Sequence, residues 1–355
     1  QNSYNENRAK DIMWVTDYLI YFDKTLKQHT ISAMAGFSQQ YFSKDNLLGG
    51  VKDFVSETSN MQIIDGATNT LDRTLKGAKS ELALSSYFGR INYDYANKYL
   101  FSVNLRIDGS SRFKKDDRWG IFPSLSGAWR ISEEDFFNID NITSFKLRGS
   151  WGLLGNQSIG SWYPTTANLQ RVGVILGAGE MNQSLNYGYV QTALSNKKLK
   201  WEKTYVTNIG FDLGLFNNKL LITADYFIKT TDGILRKMVL PLSVGMTAPN
   251  VNFAKVQNSG FDFEATFQGS INDFNYSISG NFSYLKNKIK KLSAGVSEEV
   301  NNIGAYGGVT INKVGKSIDA LYGYRTENVI TTQKEAEQYK AMGQGNAKVG
   351  RLKYK

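Results

Sequence analysis

The 355-residue sequence contains no cysteine, which excludes disulfides, thiolate metal sites and cysteine nucleophiles. It contains one histidine, His29. A single imidazole cannot build a His-rich metal site, and in Lys27-Gln28-His29-Thr30, at the edge of an apolar run, it reads as a solvated strand end rather than a catalytic base. Only four prolines occur, and no Pro-rich, Ser-rich or low-complexity stretch marks a linker, so one repetitive architecture is expected over residues 1–355. No run approaches about eighteen consecutive apolar residues, so no transmembrane helix is expected. The polar start Gln1-Asn2-Ser3 is not a signal peptide. Catalytic residues, metal sites and cofactor sites therefore have no candidates, and an enzyme is not expected.

What is abundant points to strands. Aromatics make up 13% of the chain, with 20 Phe and 20 Tyr, a composition that favours extended structure. The net charge of +10 raises the question of nucleic acid, whose phosphates attract clustered Lys and Arg. Here the basic residues are scattered. The densest runs, Lys286 to Lys291 and Arg112 to Arg118, fall where strands end and no helix-turn-helix or RNA-recognition pattern accompanies them, so nucleic acid is not an expected partner.

The decisive signal is a period of two. From Tyr99 to Asp108 one face carries Tyr99, Phe101, Val103, Leu105 and Ile107, and the other carries Leu100, Ser102, Asn104, Arg106 and Asp108. From Phe261 to Gln268, Phe261, Phe263, Ala265 and Phe267 alternate with Asp262, Glu264, Thr266 and Gln268 without a break. Similar alternation predicts ten strands, near 13–22, 29–42, 81–96, 99–112, 119–131, 144–155, 201–216, 219–233, 259–270 and 273–288. Many are longer than the roughly five or six residues usual in soluble sheets and match the roughly nine to eleven that a tilted strand needs to cross a bilayer.

The connections alternate as well. Asp23 to Gln28, Asn97-Lys98, Asn217-Asn218 and Ile271-Asn272 are short, whereas 43–80, 156–200, 234–258 and 289–320 are long. Outer-membrane barrels have tight periplasmic turns and long extracellular loops. A soluble barrel would turn the apolar faces inward, but ten long strands leave an interior too wide for side chains to fill. The expected fold is thus all-β, an antiparallel transmembrane β-barrel with long extracellular loops. Phe101, Val103, Leu105, Ile222, Tyr226, Phe263 and Phe267 would face lipid, and Asn104, Arg106, Asp225, Glu264 and Gln268 the lumen. A mean hydropathy of −0.36 is compatible with this, since only alternate residues need be apolar.

Several residues have readings of their own. Tyr93, Tyr95 and Tyr99 flank one short turn on the apolar face, and Trp14, Trp129 and Trp151 also lie on apolar faces, as interfacial aromatics or as ordinary cross-strand packing. Arg106, Asp108, Arg112 and Arg118 form either a charge network at the outer rim of the lumen or a set of solvated loop charges. Asn217-Asn218 suits the positive φ of a tight hairpin. Glu133-Glu134-Asp135 reads as a solvated acidic turn and not as an acid/base pair.

The sequence resembles the SusC/RagA-type TonB-dependent outer-membrane receptors of Bacteroidetes. The resemblance rests on Leu105 to Phe113 (LRIDGSSRF), Arg118 to Ser124 (RWGIFPS), Trp129 to Glu134 (WRISEE), Lys146 to Gly152 (KLRGSWG) with Gly155-Asn156-Gln157, Leu199 to Thr204 (LKWEKT), Asn258 to Phe261 and Asn281 to Lys288. It implies import of glycans or peptides for nutrient uptake, energised by the TonB complex through a plug region, with a SusD-like surface lipoprotein as lid and outer-membrane lipids around the wall. The plug and the aromatic-terminated last strand of such receptors are not among these residues, so the chain is expected to be a partial barrel domain, a share of a wall of about 22 strands. Under this resemblance the loop aromatics Trp162, Tyr163, Tyr187 and Tyr189 are candidates to stack on an oligosaccharide or peptide, or to pack against the lid. A passive, porin-like barrel without energy coupling is the alternative.

Overall fold

The computed structural model describes residues 3–54, 58, 62–68, 73–176, 184–238, 240–293, 295–303 and 308–354. The chain divides into two compact units, residues 1–286 and 287–355. In chain order the first strands are β1 (Ser3–Leu26), β2 (His29–Lys52), β3 (Thr74–Tyr95), β4 (Tyr99–Ser110), β5 (Trp119–Arg130) and β6 (Ile142–Asn156). A separate hairpin follows, β7 (Leu169–Leu176) and β8 (Ser184–Gln191), then β9 (Glu202–Leu215) and β10 (Leu220–Asp232). The two-stranded ribbon β11 (Leu235–Lys237) and β12 (Asn250–Asn252) precedes β13 (Lys255–Ile271) and β14 (Phe274–Lys291). Ten of these form one sheet in the order β1-β2-β3-β4-β5-β6-β9-β10-β13-β14, in which β1 and β14 have one neighbour each. These are the ten expected strands, and the sheet is open at both edges.

On the central strands β4 and β5 the two faces of this sheet are inverted relative to a water-soluble protein, whereas on β13 the polar Asp262, Glu264 and Gln268 are exposed along with Phe261 and Phe267 and Phe263 is half-buried. On β4, Phe101, Val103 and Leu105 are 53%, 56% and 44% exposed, whereas Ser102, Asn104 and Arg106 on the other face are half-buried. The same holds on β5, where Trp119, Ile121 and Leu125 are exposed and Ser124 and Ser126 are half-buried. A contiguous apolar surface of this kind is unfavourable in water and satisfied by hydrocarbon.

Aromatic rows bound that surface. His29, Tyr95, Tyr99 and Trp129 are successive register partners across β2 to β5, with ring centroids 4.9, 6.3 and 6.3 Å apart. A second row joins Tyr18, Phe37, Tyr87 and Trp119, with spacings of 6.4, 4.9 and 6.0 Å. On β3 the rows are eight residues apart, Tyr87 to Tyr95, or about 27 Å of strand at about 3.4 Å per residue. Tilted by about 40°, this matches an apolar band of the order of 20–25 Å with interfacial rings at both borders.

The short connections all lie at the Tyr95 end and bond to one another. Ala96 N donates to Gln28 O (2.7 Å), Arg130 N to Lys98 O (2.8 Å), Phe216 N to Asn141 O (2.8 Å) and Gln268 N to Lys219 O (2.7 Å). Asn217 and Asn218 have φ of 58° and 60°, the left-handed conformation that asparagine tolerates. At the other end the strands outrun expectation. Residues 43–52 and 74–80, read from sequence as loop, continue β2 and β3, and β1 pairs along all of β2. Ser43 to Lys52 has no clean apolar alternation: this extension projects past the upper aromatic row, Ser43 and Val51 are buried while Asp45 and Leu47 are exposed, and Lys44 pairs there with Asp11 at 3.7 Å and Arg8 with Glu6 at 2.7 Å.

The second unit holds a three-stranded sheet of β15 (Glu298–Ile303), β16 (Gly308–Lys313) and β17 (Ala320–Leu321), and a two-stranded one of β18 (Thr326–Val329) and β19 (Leu352–Tyr354). Helix α1 (Gln333–Ala341) starts at Thr332, whose hydroxyl accepts from Glu335 N in a capping box. Ile330, Ala336 and Ala347 form its small core. Among the described residues no helix is long and apolar enough to cross a membrane.

Candidate ligand path along the polar face

The polar face of the first unit carries a cross-strand charge clamp. Arg148 on β6 is opposite Gly210 on β9, which is opposite Asp225 on β10. With no side chain at Gly210, the guanidinium reaches over β9 and forms two bonds to Asp225, Nη1 to Oδ1 at 2.6 Å and Nη2 to Oδ2 at 2.7 Å. Such a fork fixes orientation as well as distance. Arg148 Nε also donates to Asp212 Oδ1 (3.2 Å), and Lys146 Nζ lies 2.7 Å from Asp212 Oδ2. Lys146 and Arg148 line a recess of about 470 Å³ together with Thr30, Ser32, Ser102 and Asn208. A wall face built this way offers donors and acceptors to a hydrated solute.

Nearer the loops, Arg106 Nε bonds both oxygens of Asp108 (2.8 and 2.9 Å) and its Nη2 donates to Ser86 Oγ (2.9 Å). Asp108 is buried. Arg112 is not part of this pair: its Nη1 donates to Gln157 O (3.0 Å), its amide to Ser110 Oγ (3.2 Å), and Ser110 in turn donates to Gln157 Oε1. Burial pulls its guanidinium below the ordinary value. Arg118 enters through its backbone carbonyl, which accepts from Trp201 Nε1 at 3.0 Å. The four rim residues thus make one ion pair and two separate loop anchors.

These anchors surround an apolar cluster of Phe113, Phe122, Leu199 and Trp201, all buried, with Leu84, Leu153, Ile159 and Leu235 packed against it. Phe122 is the exception on a polar face, and its ring occupies the space a Cβ would need at Gly120 and Gly155. The cluster draws the loops toward the wall. Further bonds join the loops to each other: Leu194 N to Thr247 O (3.0 Å) and Thr247 N to Thr192 O (2.9 Å), and Asn196 Nδ2 to Asn250 O (3.0 Å).

The four aromatic candidates separate into two pairs. Trp162 stacks on Phe42 with centroids 5.3 Å apart, and the Tyr163 hydroxyl accepts from Glu81 N at 2.9 Å, so both dock their loop on β2 and β3. Tyr187 and Tyr189 stand on the β7–β8 hairpin, 58% and 75% exposed, with Arg171 lying 3.7 Å over the Tyr187 ring. Leu199, Trp201, Phe113 and Phe122 were not among the candidates, and the break in polar alternation at Phe122 was the available sign.

At the turn end Glu134 is a hub and not a solvated charge. It accepts from Tyr99 Oη (2.5 Å), Trp129 Nε1 (3.0 Å) and Lys98 Nζ (3.1 Å), and the bonds from Tyr99 and Trp129 hold its carboxyl below the usual range. His29 is exposed at the start of β2, a solvated strand end as expected, with Nδ1 hydrogen-bonded to the Tyr93 hydroxyl at 2.7 Å.

Residues 1–333 match the family described as TonB dependent receptor-like, beta-barrel. The chain belongs to this family. It is an outer-membrane β-barrel family, in keeping with the exposed apolar band and its aromatic borders. TonB-dependent receptor P3 of Formosa agariphila is 33% identical over 318 residues, covering 88% of this chain and 31% of that protein. TonB-dependent receptor SusC of Bacteroides thetaiotaomicron is 31% identical over 330 residues, covering 87% of this chain and 31% of SusC. The chain therefore spans about a third of the length of the curated relatives it matches. In fold it resembles the structure of the RagAB peptide transporter, with a TM-score of 0.79 at 23% identity over 92% of this chain and 35% of that one.

Proposed function

We propose that the chain forms wall and outer loops of an active outer-membrane importer of glycans or peptides, energised through TonB, with a SusD-like surface lipoprotein closing over the loop end. The observation that carries this reading is the inverted sheet: a lipid-compatible face bounded by aromatic rows, backed by a polar face whose Arg148–Asp225 clamp and recess suit a hydrated solute. The likeness to SusC supports active import over passive flow. In this reading the chain is a partial barrel domain, the ten strands are a share of a wall of about 22, and Tyr187 and Tyr189 on the exposed hairpin meet ligand or lid. Arg106, Asp108, Arg112 and Arg118 keep the rim in shape. The test is uptake of labelled oligosaccharides and of labelled oligopeptides by cells carrying the receptor, with and without TonB. Uptake of either class that disappears without TonB is the expected result, and uptake that persists would establish a passive pore.

A further inference from the structure

We propose that the link between β5 and β6, residues 131–141, is a foot that inserts Phe136 and Ile139 into the phospholipid leaflet on the turn side of the wall. It goes beyond the transport reading and does not depend on what passes along the polar face. Other connections at this end are tight turns such as Ala96-Asn97-Lys98. This one is long enough to double back, and it does so over the apolar face. Trp129 is the register partner of Tyr99 and of Leu147, so it points to the same side as Phe101 and Val103. The Phe136 ring meets the Trp129 ring edge-on, with centroids 6.4 Å apart. Phe137 packs on Phe145 at 6.1 Å and Phe145 on Phe211 at 6.3 Å, and both of these share the face of Leu147.

The link is held in one shape. Glu134 N donates to Ile131 O (3.1 Å), Phe137 N to Glu134 O (2.9 Å) and Ile142 N to Ile139 O (3.2 Å), and Ile131 is buried. Phe136 and Ile139 are nevertheless 71% and 53% exposed. Phe216, also exposed, adjoins them through its amide bond to Asn141 O (2.8 Å). Two large apolar side chains turned outward beside the His29–Trp129 row continue the lipid-facing surface past its border, where a ring gains from lipid on one side and water on the other. Charge selects the headgroup. From Ser132 to Asn141 the link has no Lys or Arg, and Glu133, Asp135 and Asp140 are exposed. Lys98 is taken up by Glu134 and Asp135 (3.1 and 3.6 Å), and Arg130 by Asn97 O (3.3 Å). Anionic headgroups attract basic segments and repel acidic ones, whereas the ammonium of an ethanolamine headgroup complements exposed carboxylates. The occupant is therefore a zwitterionic phospholipid.

Spin labels on Phe136→Cys and Ile139→Cys in the whole receptor, in nanodiscs of phosphatidylethanolamine and phosphatidylcholine, test this. The reading is the ratio of collisions with oxygen, which partitions into lipid, to collisions with a water-soluble nickel chelate. This chain has no cysteine of its own to compete. Labels on Gln28→Cys, at a turn tip, and on Val103→Cys, within the apolar band, mark water and hydrocarbon. Insertion by about 5–10 Å should place the ratio at Phe136 and Ile139 between these marks and about threefold or more above Gln28. It should fall when phosphatidylglycerol replaces the zwitterionic lipid. Both side chains are exposed, heat-modifiable migration in electrophoresis confirms a folded barrel, and the Ile139 label alone decides if the Phe136 variant does not fold. Ratios equal to that of Gln28, shielding of both labels from both reagents as under a protein partner, or no fall in phosphatidylglycerol would overturn the proposal. Water at Phe136 and Ile139 with lipid at Val103 overturns the foot and leaves the transport reading intact, whereas water at Val103 as well would overturn the membrane wall itself.

Discussion

The two ends of the ten-stranded sheet are held by different physics. At the turn end all connections but the link from Ile131 to Asn141 are too short to bury a core, and the strands are tied by backbone bonds passed from turn to turn and by Glu134, which gathers Tyr99, Trp129 and Lys98. At the loop end the connections are long enough to fold back, and they bury Phe113, Phe122, Leu199 and Trp201 against the wall. A short turn thus depends on directional polar contacts, whereas a long loop gains a hydrophobic cluster. The consequence is a different fragility at each end.

Trp201→Ala breaks the comparison at its stronger side. It removes the ring between Phe113 and Phe122 and the bond to Arg118 O, and about 3–5 kcal/mol of local stability should go with it. Limited proteolysis of the intact receptor is expected to cut within 157–200 far faster than in the parent, while the turn end stays resistant. Equal resistance at the loop end would show that the cluster does not hold it. Between the two ends neither device operates, and the membrane itself is the solvent. Val103→Arg, near the middle of the apolar band, should cost about 2–4 kcal/mol. Asn104→Arg on the opposite face should cost far less. Urea titration in lipid vesicles compares them, and equal losses would mean that the faces are wrongly assigned.

The ten wall strands and the grouping of short turns were legible because each follows from a period of two or from chain length between repeats, whereas the strands inside the long connections, such as the β7–β8 hairpin, were read as loop. The Asn217-Asn218 turn was legible from residue type alone. The upper reaches of β2 and β3 were not, since beyond the lipid band nothing requires one face of Ser43 to Lys52 to be apolar. The site was less legible than the wall. Trp162 and Tyr163 look like any loop aromatics until Phe42 and Glu81 are brought beside them from more than 80 residues away. The Arg148–Asp225 clamp depends on a glycine, Gly210, on a third strand, and no local pattern announces it.

That clamp gives a test of the region between the ends on the polar side. A side chain at Gly210 would meet Ala224 O at 2.6 Å and press on the Asp225 carboxylate, so Gly210→Val should force Arg148 off its fork at a cost of about 1–3 kcal/mol. The pair is partly open to water, with side chains 28% and 15% exposed, which keeps the electrostatic share modest. Arg148→Met combined with Asp225→Leu should recover most of the loss in the valine background, because no buried charge is then left without a partner. Urea midpoints of the parent and the two variants decide it, and a triple variant no better than Gly210→Val alone would mean that backbone crowding is the whole effect.

The smallest expected effect is at the turn end and depends on pH. Glu134 titrates below its ordinary value near 4.5 because Tyr99 and Trp129, and then Lys98, favour its ionised form. A carboxyl depressed on folding stabilises the fold above its unfolded value, and that contribution is lost as pH falls through the lower folded value. Lys98 is raised by the same partner, so its share is lost only on the alkaline side, as pH rises through its raised value. In thermal unfolding followed by near-ultraviolet circular dichroism, the share that Glu134 contributes should therefore be flat from pH 7 to about 5 and fall below about 4.5. Glu134→Gln keeps an acceptor oxygen but cannot titrate, so its midpoint should be lower at pH 7 and its gap to the parent should narrow as pH falls below about 4.5. The other acidic residues, the buried Asp108 among them, affect both proteins alike and cancel in the difference. A gap that does not narrow at any pH below about 4.5 would show that Glu134 acts there by shape and hydrogen bonding alone, leaving the turn end held by its backbone bonds.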